Sequence, residues 1–320
     1  MIAALVSGLT AVRKNWGLVF LVLASNLGLA LVLAVPTAAS VERGLKNTES
    51  ARSMLYGFDY TWWSHWNDEQ TGHSKALAPD ILGVGFAFKN VDLLLKGELL
   101  HGFFESDGGI DPVVLGLAWL YVLLQTFLSG GILGVFRGET AGWTLRGVLH
   151  GSGFYFGRLF RVALIALVID AALLTLNIPF ARWADTRARE SVSENTATAW
   201  MLGRHALLLL GLLLVNLLST YAKAIVVLEE RSSAILAWVS AVGFCVTNAV
   251  KTVGHYLLVV LLAVLLLAIW HFVDGAFETT GYKTQIFTLL FMQGLVFGRI
   301  ALRLSLMAGA LALYRRQTTL

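Results

Sequence analysis

The chain has 320 residues, 57% of them hydrophobic and 14% charged, with 24 Lys and Arg against 20 Asp and Glu. Soluble domains carry about a quarter charged residues, so the composition excludes an ordinary water-soluble globular protein. A pI near 9.2 belongs here to charge placed on two sides of a membrane, not to nucleic-acid binding, and the single cysteine, Cys245, excludes an intrachain disulfide or a cysteine metal cluster.

The first predicted element is a short amphipathic segment around Gly8-Leu9, followed by Arg13 and Lys14 and an apolar run over 17–36. A run of about 20 residues crosses a hydrocarbon core roughly 30 Å thick, and it must do so as a helix to satisfy its backbone groups. Thr37-Ala38-Ala39 after this run imitates a signal cleavage site. The fit of the run to a repeated unit, described below, favours a retained span. Residues 37–112 form one long polar segment, too long for a structureless loop in a compact domain. It contains Phe58, Tyr60, Trp62, Trp63 and Trp66, and then Val91, Leu94, Leu95, Leu99 and Phe103 at helical spacing. It is read as an extracytoplasmic helical insertion lying on the membrane face, with Trp62, Trp63 and Trp66 as candidate contacts for a partner. Glu98, His101 and Glu105 share one helical face there, but no second helix completes a metal-binding set, so no metal site is expected.

Five further apolar runs follow, at about 113–135, 156–179, 201–227, 255–274 and 286–312. The expected fold is therefore all-α: a polytopic membrane protein with six transmembrane helices in a single membrane domain, 1–320. Its four prolines, Pro36, Pro79, Pro112 and Pro179, are expected at or outside the ends of spans. If the N-terminus is cytoplasmic, the inner segments and inner helix ends hold thirteen basic residues, from Arg13 to Arg316, against Glu139, Glu229 and Glu230. The positive-inside rule then places both termini in the cytoplasm, as in a bacterial inner membrane. Tryptophans near both boundaries, such as Trp16 and Trp143 or Trp119 and Trp270, read as an aromatic belt.

Two stretches 90 residues apart carry the same residues in the same order. Leu123, Leu124, Leu128, Ser129, Glu139, Gly153, Phe154 and Leu167 recur as Leu213, Leu214, Leu218, Ser219, Glu229, Gly243, Phe244 and Leu257. Arg161 recurs as Lys251, and Gly8-Leu9 with Arg13 and Lys14 offers a looser third copy. The unit is a cytoplasmic amphipathic segment, an outward helix, a link and an inward helix, giving three helical hairpins. Such parallel repeats occur in transporters and equally in proteins without a transport role. Glu139, Glu229, Gly153, Gly243, Arg161 and Lys251 form its cytoplasmic motif. The inner links 137–160 and 229–254 alternate basic and apolar residues and suit the surface of an anionic leaflet.

Within the spans, Asp170 stands among Ile165, Leu167, Val168, Ile169, Leu173 and Leu174. A carboxylate there is costly and normally faces a bundle interior or a wet cavity. It reads either as a proton or cation relay or, preferably, as a protonated or hydrogen-bonded partner of Asn216, Ser219 or Gln125. Its counterpart in the repeat is Val260, so the acid is no part of the shared scaffold. Asn26, Gln125, Asn216 and Gln293 read as interhelical hydrogen-bonding groups, and Gly130-Gly131 and Gly294 with Gly298 as sites of close helix approach. His271 with Asp274, and His205 beside Arg204, read as polar groups at helix ends.

The exit motif Ser219-Thr-Tyr-Ala-Lys223-Ala-Ile-Val-Val-Leu-Glu229, then Gly243-Phe244 and Lys251, resembles the six-helix membrane domains associated with glycerophosphodiester phosphodiesterases and related bacterial families of unknown function. The resemblance covers about 120–310. It implies a membrane domain that anchors, scaffolds or moves lipid-like molecules; no phosphodiesterase domain accompanies it, so that activity is not implied.

No Walker loop, nucleophile elbow, dinucleotide fingerprint, haem or zinc spacing is present in the sequence, so no enzyme activity and no cofactor are expected. The expected partners are membrane lipids and other membrane subunits, without nucleic acid. The function expected first is a non-catalytic subunit that scaffolds or anchors a membrane complex. The alternative is a transporter or lipid-handling protein using Asp170, which ranks second because few polar groups are seen to gather with that acid.

Overall fold

A computed structural model describes residues 1–54, 59–70, 112–138, 142–274 and 282–318. The described residues form ten helices and no strand: α1 (Ile2–Lys14), α2 (Gly17–Leu45), α3 (Ser50–Ser53), α4 (Tyr60–Glu69), α5 (Pro112–Arg137), α6 (Leu145–Glu190), α7 (Glu194–Leu228), α8 (Ala234–Thr247), α9 (Ala249–Asp274) and α10 (Tyr282–Thr318). Six of them, α2, α5, α6, α7, α9 and α10, are long and apolar enough to cross a membrane. The protein is an all-α, multi-pass membrane protein. The amphipathic run 86–104, with Glu98, His101 and Glu105, lies outside the described residues, as does Glu139.

The spanning helices overrun the apolar stretches. Pro36 and Pro179 do not close their spans as expected: α2 continues past Pro36 to Leu45, and α6 past Pro179 to Glu190. Each proline forfeits one backbone hydrogen bond, a loss that membrane helices absorb locally. At 46 residues, α6 is about 69 Å long at 1.5 Å per residue and emerges from both sides of the hydrocarbon.

A short helix precedes α2 and α9, and both breaks fall on asparagine. Asn15 ends α1 at φ −122°, ψ 40°, and Asn248 ends α8 at φ −118°, ψ 31°. Each turns its side-chain amide back to a carbonyl one turn earlier, Ala11 at 3.0 Å and Phe244 at 3.3 Å. Asparagine favours such local bonds over continuing a helix. Ninety residues before Asn248 stands Arg158, a good helix former, and there the amphipathic segment and the span run on as the single helix α6.

The core sits at the end of the bundle that carries both chain termini (the terminal end). Tyr221, Ile225, Val226 and Val227 of α7 meet Leu133, Val148, Leu159, Ala237, Ala241, Ala310 and Leu311, each at most 2% exposed. Small residues set the closest approaches. A Cβ at Gly131 would lie 2.1 Å from the Val148 carbonyl oxygen, and one at Gly8 would lie 2.2 Å from that of Ser305. Of the pair Gly294 and Gly298, only Gly298 has a neighbour, Leu266 on α9. Helix α10 is central, lying against α1, α2, α5, α7 and α9.

At the opposite end, α4 folds back on α2. Asp59 caps it by accepting the Trp62 amide at 3.0 Å. Trp62 donates its indole N–H to the Gly44 carbonyl at 3.2 Å, and its ring stacks on Trp66 at 5.6 Å. Trp66 is buried against Gly44.

Candidate functional site

Of the repeated motif, Glu229, Gly153, Gly243, Arg161 and Lys251 fall at the terminal end, where charged residues lace the helix ends together. Arg137, closing α5, donates to the Tyr155 hydroxyl at 2.9 Å, the Val227 carbonyl at 3.0 Å and the Glu230 carboxylate at 2.8 Å. Arg315 of α10 donates to the Arg137 carbonyl at 3.0 Å. Arg158 donates to the Glu230 carbonyl at 2.9 Å and lies over the Phe154 ring. Glu229 accepts from Arg231 and from the Tyr314 hydroxyl, and Arg231 reaches Ser240 at 2.7 Å. Lys251 bonds Gln317 at 2.7 Å, whereas Arg161 only turns back to the Gly157 carbonyl. A Cβ at Gly153 or Gly243 would meet nothing within 4 Å, so neither glycine marks a close approach. This network fixes helix ends.

A different arrangement occupies the middle of the bundle. On α10, Met307, Ala310 and Tyr314 are buried at the terminal end, while Arg303 and Arg299, farther along the same face, are exposed. On α7, Val227 and Thr220 are buried, while Lys223 is partly exposed and Asn216 exposed. Positions three or four residues apart share a helix face. Beyond the terminal end these faces thus give way to exposed polar positions at Asn216, Arg299 and Arg303, a polar opening on the bundle surface.

Its wall is tied by an amide chain. Gln125 of α5, 8% exposed, donates its amide N–H to the Asn26 side-chain oxygen of α2 at 2.7 Å. Its own side-chain oxygen accepts from Arg303 at 3.0 Å. Ser129 donates to the Gln125 carbonyl at 2.6 Å, and Phe20 of α2 packs on Phe297 of α10 at 5.0 Å between ring centres. Arg303 also lies within electrostatic range of Lys223. Among the described residues, Lys223 and Arg299 have no hydrogen-bond or ion-pair partner, and Arg303 has only the Gln125 amide. Lys223, Arg299 and Arg303 thus gather positive charge inside the spanning region with no carboxylate against them.

Asp170 stands apart from this site. It is half-buried on α6, and its Oδ1 is enclosed without a hydrogen-bond partner among the described residues. The expected pairing with Asn216, Ser219 or Gln125 is not formed: Gln125 is committed to Asn26 and Arg303, Asn216 is exposed, and no hydrogen bond joins Asp170 to Ser219. At the far end, Arg204 forms a two-pronged ion pair with Asp185, 2.7 Å to each oxygen, and touches the His205 ring at 3.2 Å. His271 is exposed beside Phe272. His255, fully buried against Gly309 and beneath α1, has neither ring nitrogen hydrogen-bonded among the described residues.

The sequence singled out Asn26 and Gln125 but counted Lys223, Arg299 and Arg303 only toward orientation. The signal that reveals them is their position inside the apolar runs 201–227 and 286–312, where a cation needs a partner or a wet cavity. Comparison with protein-family models, with curated proteins and with solved structures found no match.

Proposed function

We propose that this protein is a non-catalytic, lipid-handling membrane protein that holds an amphiphile in the polar opening between α2, α5, α7 and α10. The observation that carries this reading is the gathering of Asn26, Gln125, Lys223, Arg299 and Arg303 in one place. A charged group at the centre of a membrane helix costs about 3 kcal/mol on insertion scales. Three cations without a countercharge among the described residues are better explained by a ligand with a polar end than by helix packing alone. The opening, not Asp170, is the polar centre in this reading. The protein sits in a bacterial inner membrane with both termini cytoplasmic, a placement supported by Arg137, Arg158, Arg231, Arg315 and Arg316 at the terminal end.

Native mass spectrometry of the full chain, extracted in mild detergent, tests the function. Wild-type protein is expected to carry bound lipid, and Arg303→Leu to carry markedly less. A wild-type chain that emerges free of lipid rejects the reading.

A scaffold role for other membrane subunits is supported by a separate observation. Ile235, Val239, Val242 and Val246 form an exposed apolar stripe along α8, at the spacing of one helix face. Such a stripe seats in the headgroup region or against a partner helix. Co-purification of a second protein in fixed stoichiometry, abolished by Val239→Glu, is the expected result for a scaffold.

A further inference from the structure

The chemistry of the opening narrows what it takes. We propose that Lys223, Arg299 and Arg303 form a receptor for a phosphate ester carrying net negative charge, with Gln125 as its fixed back wall; this deepens the lipid-handling reading and rests on it.

The geometry favours phosphate in three ways. Arg303 has five N–H donors, and the Gln125 side chain engages the guanidinium through one nitrogen, which orients it and leaves further N–H groups for a ligand. Arg299 follows one turn away on the same exposed face, so two planar forks project from one helix, and such forks match the oxygen pairs of a phosphate. Lys223 approaches from α7 as a compact point charge. Three cationic groups from two helices suit a tetrahedral group with several oxygens better than a two-oxygen carboxylate.

Charge selects further. Among the described residues no acid contacts these three side chains, so a headgroup with its own ammonium finds no partner for it. An anionic phosphodiester lacks that group. Position points the same way: Arg303 lies about 18 Å along α10 from Arg315 and inside the apolar run 286–312, where a phosphate borne on acyl chains can arrive laterally between helices. Phosphate in solution shares the oxygen chemistry but not the tails.

The full chain in nanodiscs of mixed phosphatidylglycerol and phosphatidylcholine, extracted and weighed by native mass spectrometry, provides the test. Wild-type protein is expected to retain phosphatidylglycerol over phosphatidylcholine by about tenfold, the scale of one hydrogen bond to a charged group. The double variant Arg299→Gln, Arg303→Gln is expected to lose that preference, and Arg299→Lys, Arg303→Lys to keep only the part that charge without the planar forks supplies, with melting temperatures reporting that each variant is folded. Inorganic phosphate added as competitor distinguishes the sources. Displacement of the lipid means the receptor also takes phosphate from solution; retention means the acyl chains are required. Equal retention of both lipids by the wild type overturns the phosphate receptor while leaving lipid handling intact, whereas absence of any retained lipid overturns lipid handling itself. A preference that survives in the glutamine variant also overturns the assignment to these arginines.

Discussion

Gln125 has both ends of its amide committed, donating to Asn26 and accepting from Arg303. Removing it leaves a cation and an amide unpaired in a poorly solvated place, so Gln125→Leu is expected to cost about 1–3 kcal/mol, read as a lower melting temperature in detergent. Gln125→Glu separates support from binding. It keeps the contact with Arg303 and adds a countercharge, while the Asn26 amide turns over to donate where it had accepted, so stability is expected to hold as retained anionic lipid falls. Indifference of lipid retention to this added charge would detach Gln125 from the site. The amides themselves were legible in the sequence because a polar side chain in an apolar run stands out. Their partnership was not: Arg303 lies 178 residues from Gln125, and no local pattern links positions so far apart. Asp170 stood out for the same reason as the amides, yet its expected partners turned out to be occupied or turned elsewhere, which only the packing of α5 and α7 reveals.

At the scale of elements, the six apolar runs were legible because each must hide its backbone within one helix. Their ends were less so, since hydropathy marks where lipid stops and not where the helix stops. Equivalent positions 90 residues apart also diverge in role. Phe154 is 52% exposed and lies under Arg158, whereas Phe244 is 9% exposed and packs on Tyr221 and Tyr314. The glycines diverge likewise, with opposite consequences for substitution. Gly131→Ala drives a Cβ to 2.1 Å from the Val148 carbonyl and is expected to cost about 1–3 kcal/mol, as overpacking does. Gly153→Ala meets open space and is expected to stabilise α6 by up to about 1 kcal/mol through helix propensity. Thermal unfolding of the two variants side by side checks both signs. For α4, the Trp62 amide bonded to Asp59 holds that carboxyl below its ordinary value of 3.8. A lowered folded value means the cap contributes fully above 3.8 and is lost only as pH falls through the lower folded value. Indole fluorescence from the Trp62–Trp66 stack is therefore expected to stay constant down to about pH 4, and Asp59→Ala to alter it already at pH 7.

For the whole molecule, the six spanning helices among the described residues put both termini on one side, together with α1, α8 and the Arg137–Glu230 network. Class was legible from composition and span number from the apolar runs. The opening was not, because it depends on side chains drawn from four helices. Which side faces the cytoplasm follows from charge, and the chain provides a clean way to check it. Burial raises the Cys245 thiol to about 11, so at neutral pH almost none of the reactive thiolate is present. The wild type is expected to resist an aqueous maleimide, which makes it a silent background for single added cysteines. Val192 lies fully exposed in the link between α6 and α7, and Arg316 is exposed near the end of α10. With the termini cytoplasmic, Val192→Cys is expected to label in intact cells with a membrane-impermeant maleimide, and Arg316→Cys only after lysis. The opposite pattern would place the basic network outside and overturn the orientation drawn from charge.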